Sequence, residues 1–300
     1  MKPEELSAPS IELNAVIVAV VNGEPYLLTT PDKALPSGPF ETTHRTLEQG
    51  LRAWAKLKGH QALGYVEQLY TFADRGRTAE SKRAVSIGYL ALVYEAPDAL
   101  GPAWSSWYSH FPWEDHRQGA PKIIAKTIMP ALTAWKNAAT SGKEKQARAG
   151  RIGIAFPSDP RLWNEELVLQ RYELLWEAGL AAETRKKSAR DLGLPMSYDH
   201  RRIVATAIAR LRAKIKYRPV VFELLPPQFT LLRLQNTVEA LAGLRLHKQN
   251  FRRLVEAQGL VEETGAIESG VSGRPAKLFA FRRKVLQERA AAGTKLSRTN

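Results

Sequence analysis

Residues 247–258 place polar and apolar side chains on opposite faces of a predicted helix. One face holds the polar residues Lys248, Gln249, Arg252 and Arg253. The other holds Phe251, Leu254 and Val255, which are expected to pack against the rest of the domain. A glutamine amide matches adenine, and an arginine guanidinium matches guanine. The segment is therefore predicted to read DNA bases, through Lys248, Gln249, Asn250, Arg252 and Arg253.

The sequence on both sides of this helix fits a helix-turn-helix followed by a wing. Thr230 can cap a first helix that runs through Ala242, and Gly243 opens a short turn. Residues 260–264 and 277–283 have strand character and are joined by a loop rich in glycine. Thr230, Arg274 and Lys277 are added to the predicted DNA contacts, with Arg274 and Lys277 on phosphate or in the minor groove. The alternative is a three-helix packing domain whose basic residues only keep it soluble.

Near the N-terminus, Gly38, Arg52 and Gly59 stand at the spacing of the Nudix signature. In that signature four acidic side chains surround the metal, but here those positions hold His44, Ala53, Lys56 and Leu57. Mg²⁺ needs several oxygen ligands, and a lysine ammonium repels it. No metal site and no catalytic residue are therefore predicted. Arg52 and Lys56 are predicted to hold a ligand that is not hydrolysed.

Three further arginines and one tryptophan are candidate ligand contacts. Arg75, Arg77 and Arg83 flank a loop between two predicted strands, where they could clamp a pyrophosphate or remain solvated. Trp113 lies in an aromatic segment, SSWYSHFPWEDHR, and could stack on a base or fill the core. The six histidines show no metal-ligand spacing.

The elements that must position these residues follow from the hydrophobic pattern. Two apolar runs in 11–30, separated by Asn22-Gly23, predict a hairpin. A helix is predicted over 42–58, capped by Thr42 or Thr43, followed by strands at 64–72 and 83–95. Further helices are predicted at 121–139, kinked or interrupted at Pro130, at 162–182 and at 198–217. Residues 139–153 lack apolar periodicity and are predicted to be a loop at a domain boundary.

Three segments are predicted: an effector-binding domain at 1–140, linking helices at 141–225 and a DNA-binding domain at 226–300. Residues 1–140 have 14 basic and 14 acidic side chains, so this segment is neutral. Residues 141–218 have 17 against 9, and residues 219–300 have 13 against 7. Because all the excess positive charge follows residue 140, the second half is predicted to meet a polyanion.

The overall composition excludes several classes of protein. The chain has 300 residues, of which 44% are hydrophobic and 25% charged, as in globular proteins. No run approaches the roughly 18 apolar residues of a membrane span. The acidic, polar N-terminus is unlike a secretory signal, and the absence of cysteine excludes disulfides. A cytoplasmic location without membrane contact is therefore expected.

Both halves resemble the Nudix-related repressors of NAD biosynthesis, of the NrtR and NadQ type. The resemblance rests on TFADRGRTAESKRAVSIGYLALV, on DHRRIVATAIARLRAKIKYRPVVFELLP, and on FTLLRLQNTVEALAGLRLHKQNFRRLVEAQGLVEETG with GRPAKLFAF. It implies an α/β (α+β) fold, with a Nudix-like α/β/α sandwich, linking helices and a C-terminal winged helix-turn-helix. It also implies a homodimer on a palindromic operator in double-stranded DNA, and an effector that is NAD, ADP-ribose or ATP.

Two functions remain open at this point. The first is a repressor of NAD biosynthesis genes whose operator affinity is controlled by an adenine nucleotide bound in a non-catalytic domain. The second is a Nudix-type pyrophosphohydrolase with a basic nucleic-acid-binding appendage. The four non-acidic positions of the signature favour the first function.

Overall fold

The computed structural model describes residues 10–57, 63–73, 84–94, 101, 103–184, 192–268 and 275–285. A six-stranded mixed sheet is the centre of its N-terminal half. Its strands are β1 (Ser10–Val21), β2 (Glu24–Leu28), β3 (Ser37–Pro39), β4 (Val66–Phe72), β5 (Ala84–Leu92) and β6 (Trp104–Ser106). The order is β4-β5-β1-β2-β6, with β3 also paired to β1. β1 runs parallel to β5 and antiparallel to β2 and β3.

The predicted hairpin is confirmed, with Asn22 and Gly23 both at positive φ. Because successive side chains of a strand point to opposite faces, β1 contributes to two separate cores. Leu13, Ala15 and Ile17 lie in one core, together with Leu51 of helix α1 (Leu47–Leu57). The valines at 16, 18 and 20 lie in the other.

Helix α1 begins later than the pattern predicted. The Thr46 hydroxyl accepts a hydrogen bond from the backbone N–H of Gln49 at 3.1 Å, as an N-cap does, so the predicted cap at Thr42 or Thr43 is wrong. His44 therefore lies in the preceding loop, where its Nδ1 accepts from the backbone N–H of Glu41.

Residues 107–177 include four helices, which lie on the side of the sheet that carries the valines at 16, 18 and 20. They are α2 (Trp107–His110), α3 (Met129–Asn137), α4 (Gly142–Ala155) and α5 (Val168–Glu177). A π-helical turn at Ile124–Ile128 leads into α3, so the helix widens ahead of Pro130 rather than ending there. The prediction of a loop at 139–153 is wrong, because Ser141 caps α4 by accepting from the N–H of Glu144.

Helix α6 (His200–Lys214) covers the second face of the sheet. Its Ile203, Val204 and Ile208 share a core with Val16 and Val18 of β1. The sheet therefore lies between α1 and α6, which confirms the α/β/α sandwich. Residues 141–225 were predicted to be linking helices, and α6 is in addition one layer of the sandwich. The division of the chain into three segments otherwise stays a prediction.

The C-terminal residues form the predicted helix-turn-helix and wing. A short 3₁₀ helix, Val220–Leu224, precedes α7 (Leu231–Ala242) and α8 (Lys248–Ala257). Strands β7 (Val261–Ile267) and β8 (Lys277–Phe281) pair antiparallel, and Phe229 bridges to Phe279. Within the described ranges, no helix has both the length and the apolar character needed to cross a bilayer.

Candidate nucleic-acid interface and ligand pocket

The outer side of α8 presents the predicted base-reading residues to solvent. Phe251 and Val255 are buried beneath it. The exposed side chains are Lys248, Gln249, Asn250, Arg252 and Arg253. Lys248, Gln249, Arg252 and Arg253 are called the recognition face below. Leu254, which was predicted to pack, is 54% exposed. The prediction for Leu254 is wrong because it lies at the edge of the apolar stripe.

Three of the predicted DNA contacts, Asn250, Arg253 and Lys277, already have partners within the chain. Arg253 donates to the Asn250 side-chain oxygen at 2.7 Å. On the wing, the Lys277 ammonium lies 2.9 Å from the Glu263 carboxylate. This pairing accounts for an acidic residue beside a basic surface, because Glu263 partly neutralises Lys277. Arg274 lies outside the described residues.

Thr230 caps α7 rather than facing DNA. Its hydroxyl accepts from the backbone N–H of Arg233 at 3.2 Å, and the residue is 7% exposed. The predicted cap is confirmed, whereas the predicted DNA contact of Thr230 is wrong because the hydroxyl is buried in the cap.

A buried glutamate sets the geometry of the turn between α7 and α8. Glu239 accepts from the backbone N–H of Leu246 at 3.0 Å and from the Gln235 amide at 2.8 Å. Burial would raise the pKa of Glu239, but these hydrogen bonds and the Arg245 guanidinium lower it. The ionised carboxylate therefore ties the start of α8 to α7.

A second buried cluster fixes the helix-turn-helix to the sheet domain. Glu114 accepts from Arg171 at 2.5 and 2.9 Å and from Arg212 at 2.6 Å, and all three side chains are fully buried. Burial would raise the pKa of Glu114, but the two guanidiniums outweigh it and lower the pKa. Arg212 also donates to the Leu241 carbonyl of α7 at 2.9 Å.

The same cluster reaches the turn itself. The Tyr108 hydroxyl donates to the Ala240 carbonyl at 2.7 Å, and the His116 N–H donates to the Gly243 carbonyl at 2.8 Å. Gly243 has φ +70°, and a Cβ there would overlap the Glu114 carbonyl, so the close approach requires glycine. These contacts, made by Tyr108, Glu114, Arg171, Arg212 and Gly243, are called the joint below. The sequence analysis did not predict the joint, because nothing in the sequence distinguishes an arginine that will be buried from one that will be exposed.

A pocket of about 440 Å³ opens beside the N-terminal end of α6. This volume is within the roughly 300–1,000 Å³ typical of small-molecule sites. Its wall includes the Trp54 indole from α1, and a Cβ at Gly38 would overlap that indole. The polar groups of the wall include Glu12, Ser37 and Ser86.

An unsatisfied amide lies next to this wall. Asn14 is two residues from Glu12 on the same face of β1, and directly opposite Ser37 in the β1–β3 pairing. It is fully buried, and neither atom of its amide has a hydrogen-bond partner among the described residues. A buried amide without partners is unfavourable by about 1–3 kcal/mol.

Tyr198 forms the rim of the pocket. It is 47% exposed, and its φ of +57° is a conformation that bulky residues rarely adopt. Its ring lies 5.4 Å from the ring of His200, whose Nδ1 accepts from the Leu35 N–H at 2.8 Å. The Tyr198 ring is thus an exposed aromatic surface at the edge of a pocket whose wall contains polar groups. No sequence pattern predicted this role for Tyr198.

Of the predicted ligand contacts, the two whose side chains the structure describes, Arg52 and Trp113, do not line this pocket. Arg52 donates to the backbone carbonyls of Leu63 at 2.6 Å and Gly64 at 3.2 Å and pairs with Glu48, so it holds the loop before β4. The side chain of Lys56 and the residues Arg75, Arg77 and Arg83 lie outside the described parts of the chain.

Trp113 is 1% exposed and packs edge-on against Phe111 in the core. The prediction that Trp113 contacts the ligand is wrong, because no ligand can reach it in this conformation. Within the described ranges, no group of three or more metal-ligating side chains comes together.

Known proteins match this chain in its C-terminal part and in its fold. Residues 221–281 match the family model of the NrtR DNA-binding winged helix domain. The ADPR responsive transcriptional repressor NtrR of Acinetobacter baylyi is 42% identical over 91 residues, which are 30% of this chain. The alignment spans about a third, 36%, of the length of that relative.

Solved structures extend the likeness to nearly the whole chain. Shewanella oneidensis NrtR complexed with a 27mer DNA has a TM-score of 0.55 at 19% identity, over 92% of this chain and 95% of that one. A MutT/nudix family protein from Enterococcus faecalis has a TM-score of 0.51 at 16% identity, over 92% and 89%. Residues 221–281 therefore match the NrtR DNA-binding winged helix domain, and the fold of nearly the whole chain is similar to that of these two solved structures.

Proposed function

We propose that this protein is a transcriptional repressor that binds double-stranded DNA through α8 and the wing. The observation that supports this most strongly is the exposed recognition face within the segment that matches the NrtR DNA-binding domain. We further propose a homodimer on a palindromic operator, because a single recognition helix reads only a few base pairs. The genes of NAD biosynthesis are the proposed targets.

The DNA-binding proposal is tested by selecting binding sites from a random duplex pool and measuring affinity by fluorescence anisotropy. The expected result is a palindromic consensus bound by a dimer, with half-sites one helical turn or a multiple of it apart. Light scattering gives the stoichiometry. Failure to enrich any sequence, or binding by a monomer only, would contradict the corresponding part of the proposal.

We propose that an adenine nucleotide controls the DNA affinity, with ADP-ribose as the first candidate and NAD and ATP as the others. The Acinetobacter relative, an ADPR responsive transcriptional repressor, supports this choice. The pocket supports it as well, since Glu12, Ser37 and Ser86 supply polar groups to its wall. The Glu12 carboxylate can accept from ribose hydroxyls, and the Tyr198 ring can stack on a base.

Asn14→Leu tests the pocket in a way that separates ligand binding from folding. The variant removes an unsatisfied buried amide, so we expect the free energy of unfolding to rise by about 1–3 kcal/mol. At the same time, calorimetry should show weaker ADP-ribose binding, because Asn14 lies directly opposite Ser37 of the pocket wall and its replacement reshapes that wall. A variant that is more stable but binds ADP-ribose as tightly as the wild type would place the ligand elsewhere.

Tyr198→Asn provides a second variant, because asparagine tolerates a positive φ. Tyr217→Asn is the matched control, since Tyr217 is also an exposed tyrosine, beyond the other end of α6. Only the first substitution should weaken nucleotide binding. If saturating ADP-ribose, NAD and ATP all leave the DNA affinity of the wild type unchanged, the effector proposal is wrong.

We infer that the domain does not hydrolyse its nucleotide. The support is the absence of carboxylates at His44, Ala53, Lys56 and Leu57. Incubation with Mg²⁺ or Mn²⁺ and ADP-ribose or NADH should give no product by chromatography. Turnover that is lost in Arg52→Ala would instead support the pyrophosphohydrolase alternative.

A further inference from the structure

The helical segment 122–137, which ends in α3, and helix α4 carry many basic residues that the functions above do not use. Residues 121–162 contain eight lysines and arginines and only two acidic residues, Glu144 and Asp159. The two acidic residues pair with Arg148 and Arg161, and Arg151 pairs with Glu177 of α5. The remaining cations of this surface are Lys122, Lys126, Lys136, Lys143 and Lys145, called the lysine patch.

The five lysines of the lysine patch resemble the recognition face in being cations without a carboxylate partner among the described residues. None of its five ammonium groups forms an ion pair within the described residues, and four of the five residues are exposed, with Lys136 half-buried. By contrast, Lys214 pairs with Glu67 at 2.7 Å, and Lys216 pairs with Glu165 at 2.7 Å. A concentration of unpaired positive charge attracts a polyanion.

The lysine patch begins close to the helix-turn-helix. The His116 N–H donates to the carbonyl of Gly243 in the turn at 2.8 Å, and Lys122 follows six residues later. Six extended residues span at most about 20 Å, so Lys122 lies within this distance of the turn. The end of α8 that follows the turn carries Lys248 and Gln249 of the recognition face.

The helices carry the lysine patch away from that point. From Lys122 to Lys136 the chain is helical and advances by about 20 Å at 1.5 Å per residue. Lys143 and Lys145 then follow in the first turns of α4. A distance of about 20 Å corresponds to about six base pairs of B-DNA, each of which carries two phosphates.

We propose that the lysine patch is a second DNA contact surface, which binds the phosphates of the duplex that flanks the operator half-site. This inference rests on the proposed DNA binding by α8. The lysines contact backbone phosphate and no base edge, so they add affinity without adding sequence preference. The dimer thus protects a longer stretch of duplex than its recognition helices read.

The test compares two duplexes, one that ends at the outer edge of each half-site and one extended by ten base pairs of arbitrary sequence on each side. The protein is the full chain, as wild type and with all five lysines replaced by glutamine. Lys33→Asn with Arg45→Gln is the control variant. Both control residues are exposed cations that precede α1 in the chain, and asparagine suits the positive φ of Lys33.

Affinity is measured between 50 and 200 mM salt. Each phosphate contact contributes about 0.9 to the slope of log affinity against log salt. With five lysines lost from each subunit of the dimer, the variant should lose up to about 9 from the slope on the extended duplex. The loss on the short duplex should be small, and the extended duplex should bind more tightly than the short one only in the wild type and the control.

Three results would overturn the inference, and they differ in what else they overturn. Equal slopes for the wild type and the five-lysine variant, with tight binding retained, would refute only the lysine patch. A slope that changes on single-stranded RNA but not on duplex DNA would assign the patch to another polyanion. No duplex binding by the wild type would refute the proposed function as well.

Discussion

Arginine and lysine occupy two contrasting environments in this molecule, the joint and the recognition face. In the joint, Arg171 and Arg212 are fully buried and share the carboxylate of Glu114. On the recognition face, Lys248 and Arg252 are exposed and have no carboxylate partner among the described residues. The two regions are neighbours. Arg212 of the joint contacts Leu241 in the last turn of α7, and the recognition face begins at Lys248, after the turn that follows α7.

The difference shows how the same residue types can serve fold and function in one domain. Ions buried without partners are strongly unfavourable, so the joint is stable only when every charge is paired. Exposed ions keep their hydration and gain little from pairing, so the recognition face remains available for a polyanion. Substitutions should therefore affect stability in the joint and DNA binding on the recognition face.

The largest effect is expected for Glu114→Ala, which leaves two buried guanidiniums without their carboxylate. Removing one partner of a buried ion pair lowers the free energy of unfolding by about 3–5 kcal/mol. Glu173→Ala is the control, because its pairing with Arg202 is partly exposed and is worth under about 1 kcal/mol. Urea denaturation measures both. Similar losses in the two variants would remove the contrast between buried and exposed pairs.

The next largest effect is expected from acid, through a buried histidine near the joint. His110 bonds to Ser105 and to the Leu194 carbonyl, and burial lowers its pKa from 6.5 to about 4. Because the unfolded state binds the proton more readily, stability should fall as the pH drops from 6.5 towards 4, by about 3 kcal/mol. In His110→Gln, thermal unfolding should no longer show this fall in stability between pH 6.5 and 4. The exposed His247→Gln, a control from the helix-turn-helix, should retain it.

On the recognition face, Gln249→Ala and Arg252→Ala should each weaken operator binding by about 1–3 kcal/mol and relax the preference at particular bases. Their urea midpoints should match the wild type, since both side chains are exposed. Titrations on operator and scrambled duplexes distinguish a loss of sequence preference from a general loss of affinity. Equal loss on both duplexes would mean that these residues contact phosphate rather than bases.

A smaller effect is expected at the contact between the joint and α7. Tyr108→Phe removes the hydroxyl that donates to Ala240, which should lower stability by about 1 kcal/mol. If the joint couples the pocket to the DNA, the ADP-ribose response should shrink while DNA affinity without ligand stays the same. An unchanged response would show that coupling does not pass through this hydrogen bond.

The smallest effects are expected on the wing, where two substitutions should act in opposite directions. Lys277→Ala should reduce the salt slope by about 0.9 for each subunit of the dimer and weaken all sequences alike. Glu263→Gln removes the partner of Lys277 and should strengthen binding at low salt. A matching decrease in both variants would show that the ion pair itself orients the wing.

The sequence by itself determined the elements whose signals are local. Asn22-Gly23 between two apolar runs is sufficient for the β1–β2 hairpin, and Thr230 is sufficient to start α7, because turn and cap preferences depend on a few neighbouring residues. The alternation of polar and apolar residues in 248–257 likewise determined which side of α8 faces solvent. At the edge of that stripe, Leu254 was assigned to the wrong side.

Only the tertiary structure decided which distant residues meet. Helix α6 became a layer of the sandwich, Trp113 became core, and Arg171 and Arg212 became buried partners of Glu114. The pocket beside Asn14 and Tyr198 is formed by segments more than 180 residues apart in the chain. The physical reason is that burial depends on how elements pack, and neither the type of a side chain nor its local periodicity reveals whether it will be paired inside or hydrated outside.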